Sequence, residues 1–285
     1  MENLTFIVTG SSGWISSSFL SEIKLNHKNA NLILIPNLQE WEKIESNIFS
    51  EKQNIYLIHN AFSSHNQLSS ISEEEYINNL DSNFIQTKAF ISRNRIKGMF
   101  YPSSGSVYKL REVDNNQYKI YSDQKKFEEE EFKKLSENYN FKLVMPRIFS
   151  VIGSGYSKLN NSSFISILNE AIEDGEINLK SKTNNLHSIC ILENLVNLSL
   201  NYLVKKNNEN FLFFDAVDET LSLYDFCIEV LEAVNKDERS LIYDFNNDLG
   251  KQDYVGDKEL YLNYLKIYNK EYIGIKKILK DIVEN

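Results

Sequence analysis

Two cysteines, Cys190 and Cys227, are too few and too widely separated for a disulfide framework, and without a CxxC pair they suggest no structural zinc site. Such usage fits a reducing cytoplasm, and no metal is expected. No apolar stretch approaches the ~18 residues of a membrane span, and Met1 is followed by an acidic residue and a strand-like run where a leader would be basic. Neither a signal peptide nor a membrane partner is expected. Positive charge is also scarce: the net charge is -9 and the pI near 5.1, which withholds the field that nucleic-acid or anionic-membrane binding requires. With three prolines and no internal repeat, no domain boundary is clearly punctuated.

What is present is a chain of 285 residues with 42% hydrophobic content, enough to bury one large core or two joined ones. Strand-like runs fall at Leu4 to Val8, Leu32 to Ile35, Ile55 to Ile58, Met99 to Tyr101, Lys142 to Met145 and Phe211 to Phe214. Helical patterns lie between several of them, at Ile15 to Ile23, Leu38 to Phe49, Glu73 to Arg93 and Gln124 to Asn138. This alternation predicts an α/β fold of Rossmann type: a doubly wound parallel sheet with helices on both faces. The pattern becomes less regular after Val151. A dinucleotide-binding domain is therefore expected over residues 1–150, and a smaller, mainly substrate-binding part over 151–285 with some segments returning to the sheet.

The opening stretch "FIVTGSSGWISSSF" sets two glycines, Gly10 and Gly13, between a strand and a helix. A glycine at the strand end permits a sharp turn, and the following helix presents unpaired N–H groups and partial positive charge to a pyrophosphate. A third glycine, usually placed for close helix-to-strand packing, is replaced by Ser16. A plain glycine turn without a ligand has the same spacing, so this stretch does not decide the matter alone.

A second constellation carries chemistry. "MFYPSSGSVY" places a serine pair just after a strand, and "YSDQK" puts Tyr121 and Lys125 one helical turn apart. A phenol with an ordinary pKa near 10 needs about 4 kcal/mol of preferential phenolate stabilisation to act near pH 7. A neighbouring ammonium can supply part of it, while Ser104 hydrogen-bonds the reacting oxygen. Tyr-x-x-x-Lys also occurs at Tyr202/Lys206, Tyr254/Lys258 and Tyr272/Lys276. Tyr121 is singled out by its expected place at a helix start, shortly after a serine-rich strand end, where such sheets bind their ligands.

"TGSSGWIS", "IHNA", "SSGSVY", "YSDQK" and "MPRIFSVIGSG" occur in an order and spacing that resembles the extended short-chain dehydrogenase/reductases that modify nucleotide sugars. The resemblance covers nearly the whole chain. It implies a Rossmann domain holding NAD(H) or NADP(H), a catalytic Ser104, Tyr121 and Lys125, a nucleotide-sugar substrate, a role in polysaccharide biosynthesis and a homodimer built through a four-helix bundle. The cofactor would contact Gly10, Ser12, Gly13, Trp14, Ile15, Asn37, Asn60, Ala61 and Asn83, together with Tyr121 and Lys125. The substrate would contact Ser104, Ser106, Arg147, Ser150 and His187. An ordinary buried polar residue is the alternative for Asn83, and a structural ion pair the alternative for Arg147. His59 is expected to cap a strand beside the cofactor.

The chain departs from the family pattern in places. "LILIPN" ends in Pro36 and Asn37 without the carboxylate that holds an NAD ribose, which favours NADP(H) over NAD(H), although no arginine follows. Where family 4,6-dehydratases carry an Asp-Glu pair this chain has Gly105 and Ser106, so dehydration is not expected. The remaining readings are NADP(H)-dependent reduction of a 4-keto nucleotide sugar, an NAD(P)-dependent nucleotide-sugar epimerase, and a catalytically silent dinucleotide-binding regulator. The acidic and basic run "KKFEEEEFKK" reads as a solvated helix face.

Overall fold

Apolar runs with side chains buried on both faces form the centre of the sheet, as parallel strands covered by helices require. The computed structural model describes residues 4–36, 54–62, 71–109, 116–155, 163–205, 209–246, 248–269 and 271–284. Asn37 and the helix expected over 38–49 lie outside them. In chain order the first strands are β1 (Leu4–Thr9), β2 (Asn31–Ile35), β3 (Asn54–His59), β4 (Gly98–Phe100), the short β5 (Ser103–Ser104) and β6 (Lys142–Ile148). With β10 (Phe211–Ala216) they form a seven-stranded sheet in the order β10-β6-β4-β3-β1-β2, with β5 paired to β6. The ladders β2 to β1, β1 to β3, β3 to β4 and β4 to β6 are all parallel. After β2 is laid on one side of β1, β3 is laid on the other. The carboxyl ends of β1 and β3 therefore flank the crevice where such sheets receive their ligands.

The covering helices follow from their sequences. The Glu73–Arg93 helix starts where Ser72 accepts a hydrogen bond from Glu75 N–H (3.1 Å), and its first turn carries Glu73, Glu74 and Glu75, which suit the positive end of the helix dipole. Tyr76, Leu80, Phe84, Thr87 and Phe90 recur at helical spacing on its buried face. The next helix runs Asn116–Tyr139. It begins well before Gln124, so Tyr121 lies in its second turn and not at its start, a correction to the sequence expectation. Together with the strands these helices bury a core that includes Ile7, Leu57, Met99, Phe132, Phe141 and Leu143.

The chain divides into two compact units. The first comprises residues 1–109, 113–147 and 199–213; the second comprises 110–112, 148–198 and 214–285. The second unit holds a three-stranded sheet in the order β11-β9-β7, made of β7 (Ser150–Ile152), β9 (Leu186–Ile191) and β11 (Glu219–Ser222). It also holds a parallel pair, β8 (Ile177–Leu179) with β12 (Leu241–Tyr243). Helices Ser163–Asp174, Leu223–Ala233, Glu259–Tyr268 and Ile275–Glu284 accompany them. Cys190 and Cys227 are both buried and unbridged here. Among the described residues no helix is long and apolar enough to cross a membrane, and no cluster of three or more His, Cys, Asp or Glu side chains is placed to hold a metal.

Candidate active site

At the end of β1 the chain turns at Gly10, whose φ of +60° lies in the left-handed region. A Cβ there would sit 2.9 Å from Ala61 N and from the carbonyl carbon and oxygen of Asn60. The turn is thus pressed against the backbone leaving β3, and only glycine fits. Ser11 N–H bonds to Ile35 O at the end of β2 (3.2 Å), and Gly13 N–H to Gly10 O (2.9 Å). Gly13 is the N-cap of the Trp14–Asn26 helix and supplies no side-chain cap. Ser12 is exposed, and Trp14 and Ile15 are half-buried at this helix start. Ser16 is fully buried. Its hydroxyl donates to Thr9 O (3.3 Å) and accepts from Asn60 Nδ2 (2.9 Å), so the residue in the third-glycine position joins β1, the helix and the segment after β3. Asn60 Oδ1 is buried without a hydrogen-bond partner among the described residues.

Beneath this turn runs a chain of hydrogen bonds. Ala61 N–H donates to Thr9 Oγ1 (3.2 Å), which lies 2.9 Å from His59 Nδ1; His59 Nε2 lies 3.4 Å from Thr87 Oγ1, and Thr87 donates to Asn83 O (2.8 Å). Since the Thr87 proton goes to Asn83, Nε2 is the donor toward Thr87, and a neutral His59 ring accepts the Thr9 proton at Nδ1. Burial, and then the Lys125 charge, lower the His59 pKa to about 3, which excludes it from acid-base work near neutrality. Asn83 enters this chain through its carbonyl; its side chain is half-buried.

The candidate reacting groups assemble one residue beyond Ala61. The Phe62 ring lies 3.6 Å from Lys125 Nζ and packs edge-on against the Tyr121 ring, with centroids 5.4 Å apart. Tyr121 and Lys125 therefore stand beside the strand end that grips the Gly10 turn. Ser104 is buried at the end of β5, where its hydroxyl caps the short 3-10 turn Gly105–Tyr108 by accepting from Ser106 N–H (3.2 Å). A hydrogen bond links it to the Tyr121 hydroxyl. Burial pushes the Tyr121 pKa up to about 12, against the lowering effect of the Ser104 bond, with Glu128 and Tyr118 adding to the rise. Lys125 is buried and pulled down to about 8 by desolvation, with Glu128 and then Glu129 opposing the fall. Tyr121 thus rests protonated and Lys125 mostly charged near pH 7.

The other Tyr/Lys spacings serve different ends. Tyr202 donates its hydroxyl proton to Glu209 O (2.7 Å), and Lys276 pairs with Glu229 (3.5 Å) and Glu232 (3.2 Å). Tyr254 is buried within the second unit.

Of the residues assigned to substrate, Ser106 is buried beside Ser104, with Oγ lacking a hydrogen-bond partner among the described residues while its carbonyl accepts from Ser122 (2.6 Å). Arg147 forms a bidentate pair with Glu129, Nε to Oε1 at 2.8 Å and Nη2 to Oε2 at 2.6 Å, and donates to Tyr108 OH (2.6 Å). Its guanidinium also lies over the Tyr108 and Phe213 rings. Ser150 and His187 belong to the second unit. Ser150 opens β7, and His187 lies buried in β9 with its ring edge-on to Phe164 and Tyr254.

The sequence reading missed Thr9, Phe62, Tyr101, Glu128 and Glu129. The run read as a solvated face is partly buried: Glu128, Glu129 and Phe132 share the inward face with Lys125. Their i, i+3, i+4 and i+7 spacing was the available signal, obscured by surrounding charge.

The Rossmann-type sheet with its glycine turn against a helix N-terminus is a short-chain dehydrogenase/reductase fold, and Ser104, Tyr121 and Lys125, gathered at the strand ends, are its candidate site. The model of the NAD dependent epimerase/dehydratase family matches residues 6–211, and the chain belongs to that family. Curated protein sequences give no match. Solved structures give many. A UDP-N-acetylglucosamine 4-epimerase from Methanobrevibacter ruminantium, in complex with UDP-N-acetylmuramic acid, is similar with a TM-score of 0.75 and 15% identity, over 100% of this chain and 98% of that one. The Thermus thermophilus UDP-glucose 4-epimerase complex with NAD gives 0.72 and 13%, over 98% of each chain. An ADP-L-glycero-D-manno-heptose-6-epimerase from Helicobacter pylori gives 0.72 and 16%, over 99% of this chain and 96% of that one. At these identities the likeness concerns the fold.

Proposed function

We propose that the chain catalyses NADP(H)-dependent reduction of a 4-keto nucleotide sugar, with Tyr121 as the proton donor. The observation carrying this reading is the hydrogen-bonded Ser104–Tyr121 pair beside Lys125, next to the strand end that grips the Gly10 turn. The residues fit a dinucleotide: a Cβ would fill the space at Gly10, the helix start lacks a side-chain cap, and Asn60 Oδ1 is an orphaned buried acceptor. In this reading Gly10, Ser12, Gly13, Trp14, Ile15, Asn60 and Ala61 hold the pyrophosphate end, while Lys125 and Asn83 hold the nicotinamide end. A bound reduced dinucleotide supplies a hydride. Tyr121 Oη supplies the proton, Ser104 Oγ steadies the reacting oxygen, and Ser106 Oγ has a donor and an acceptor to spare for the sugar.

A tyrosine resting near pKa 12 is already in the form that donates, which favours reduction. The absence of a carboxylate at Pro36 and Asn37 favours NADP(H). The second unit is assigned to the nucleotide-sugar end through Ser150 and His187. A homodimer is part of the same reading, supported by large exposed side chains at Ile77, Ile85 and Phe127 on two helices. An epimerase is the second reading, favoured by the epimerases among the similar structures.

Purified protein incubated with NADPH or NADH and a panel of 4-keto nucleotide sugars tests the proposal. One nucleotide oxidised per product formed supports reduction. Interconversion of sugars without net oxidation identifies the epimerase. Unchanged turnover in Tyr121→Phe overturns both.

A further inference from the structure

The environment of Lys125 is mostly aromatic. Its Nζ lies 3.6 Å from the centre of the Phe62 ring and 4.5 Å from that of Tyr101, in a pocket where a bare ammonium is costly. Two acceptors meet it: Pro102 O at 2.8 Å and the Tyr101 hydroxyl at 3.1 Å. The Tyr101 hydroxyl in turn donates to Glu128 Oε2, and Glu128 Oε1 accepts from Gln124 Nε2 at 2.9 Å. Glu128 is itself buried. The carboxylate thus has a partner on each oxygen and reaches the lysine through one phenol.

We propose that Tyr101 and Glu128 form a positioning relay that holds the Lys125 ammonium in place and charged within this aromatic pocket. The inference rests on the reading of Lys125 as the partner of Tyr121 and of the cofactor. Glu128 touches no reacting atom; it acts through Tyr101. Being the first lysine-raising influence after burial, it opposes the desolvation that would otherwise discharge the amine near neutral pH. Tyr101 is held as a neutral donor, its pKa far above the usual range through burial and then the Glu128 charge.

Other titratable and charged groups also face the relay. His59, at the end of β3, stays neutral down to about pH 3, and Tyr121 stays protonated up to about 12. Glu129, the second carboxylate felt by Lys125, is committed to Arg147. Tyr76, on the Glu73–Arg93 helix, feels the Glu128 charge and is held protonated well above the usual range, chiefly by burial. Asp81 on the same helix faces Glu128 and, with burial, raises the Glu128 pKa against the lowering effect of Lys125.

The test is a direct titration of Lys125 in protein labelled with carbon-13 at the lysine ε position, the signal assigned by its loss in Lys125→Met. The wild-type midpoint is expected near 8. Glu128→Gln, which keeps the acceptor but removes the charge, should lower it by about one unit or more, and Tyr101→Phe should lower it by a smaller step. NADPH affinity at pH 8, read by NADPH fluorescence, should weaken up to about tenfold in Glu128→Gln and recover at pH 6. An unchanged midpoint in Glu128→Gln overturns the relay. If that variant does not fold, an unchanged or raised midpoint in Tyr101→Phe overturns it instead. A shifted midpoint with wild-type NADPH affinity in Lys125→Met upholds the relay and refutes the cofactor reading of the lysine, so the two failures are distinct.

Discussion

In the first unit, hydrogen bonds run from Ala61 through Thr9, His59 and Thr87 to Asn83, and Ser16 ties three elements together, yet Asn60 Oδ1 and Ser106 Oγ are left without partners among the described residues. In the second unit, Asp218 is equally buried but fully engaged: it accepts from Ile191 N–H (2.7 Å), Asn194 Nδ2 (2.7 Å) and Tyr261 OH (3.3 Å). Asn194 then bonds to Ile273 in both directions, 2.8 Å to its carbonyl and 3.0 Å from its N–H, which joins the start of the Leu192–Val204 helix to the segment before the Ile275–Glu284 helix. The two networks teach different lessons about buried polarity. A buried carboxylate with both oxygens engaged, like Asp218, serves stability, whereas buried acceptors or hydroxyls left over at the end of a strand beside a glycine turn suit a ligand.

The sharpest way to test the contrast is to damage each network and read both chemistry and stability. Tyr121→Phe should cut turnover about a thousandfold while NADPH affinity and the unfolding midpoint stay near wild type, as measured by steady-state kinetics, fluorescence titration and calorimetry. Asp218→Ala should do the reverse. Stranding three donors should lower unfolding free energy by about 3 kcal/mol in a denaturant titration, with dinucleotide affinity preserved in the folded protein. An Asp218→Ala protein that lost affinity without losing stability would erase the distinction between the two networks.

Gly10→Ala lies between these extremes, because the left-handed backbone and the 2.9 Å approach to Asn60 and Ala61 strain the fold and fill the cradle together. A loss of about 2 kcal/mol of stability with weakened NADPH binding is expected. A pH series refines the comparison further. Burial raises the Asp218 pKa to about 7, so its native form takes up a proton more readily than the unfolded chain. The stability this group contributes is fullest below the ordinary carboxylate range and is lost as the pH rises through about 7. Between pH 8 and pH 6 wild type should gain about 1 kcal/mol relative to Asp218→Asn, measured by chemical unfolding. The smallest expected effect is that of Ser16→Gly, which restores a third glycine but removes the bond from Asn60, costing about 1 kcal/mol.

Much of the first unit could be read from the sequence because its strands are continuous apolar runs and its turn needs glycine for a backbone reason. Gly10, Gly13 and the Glu73–Arg93 helix are examples. The Asn116–Tyr139 helix was read too short, because Asn116, Gln117 and Tyr118 carry no apolar stripe and its beginning is defined only in the fold. Glu128 was hidden for a related reason. A four-glutamate run looks solvated, and only helical rotation against the strand ends shows that two of the four point inward. Arg147 was read two ways from the sequence; the fold commits three of its N–H groups to Glu129 and Tyr108.

By itself the sequence determined the alternation of buried strands and amphipathic helices, the glycine turn at the end of β1, and the presence of a serine, a tyrosine and a lysine at suggestive spacing. These are local properties, set by backbone sterics and by the period of side chains along an element. Only the tertiary structure decided which of four Tyr/Lys pairs stands beside that turn, and which carboxylate reaches the lysine through a phenol. Those outcomes depend on residues far apart in the chain meeting at strand ends, where exclusion of water makes each remaining polar partner count.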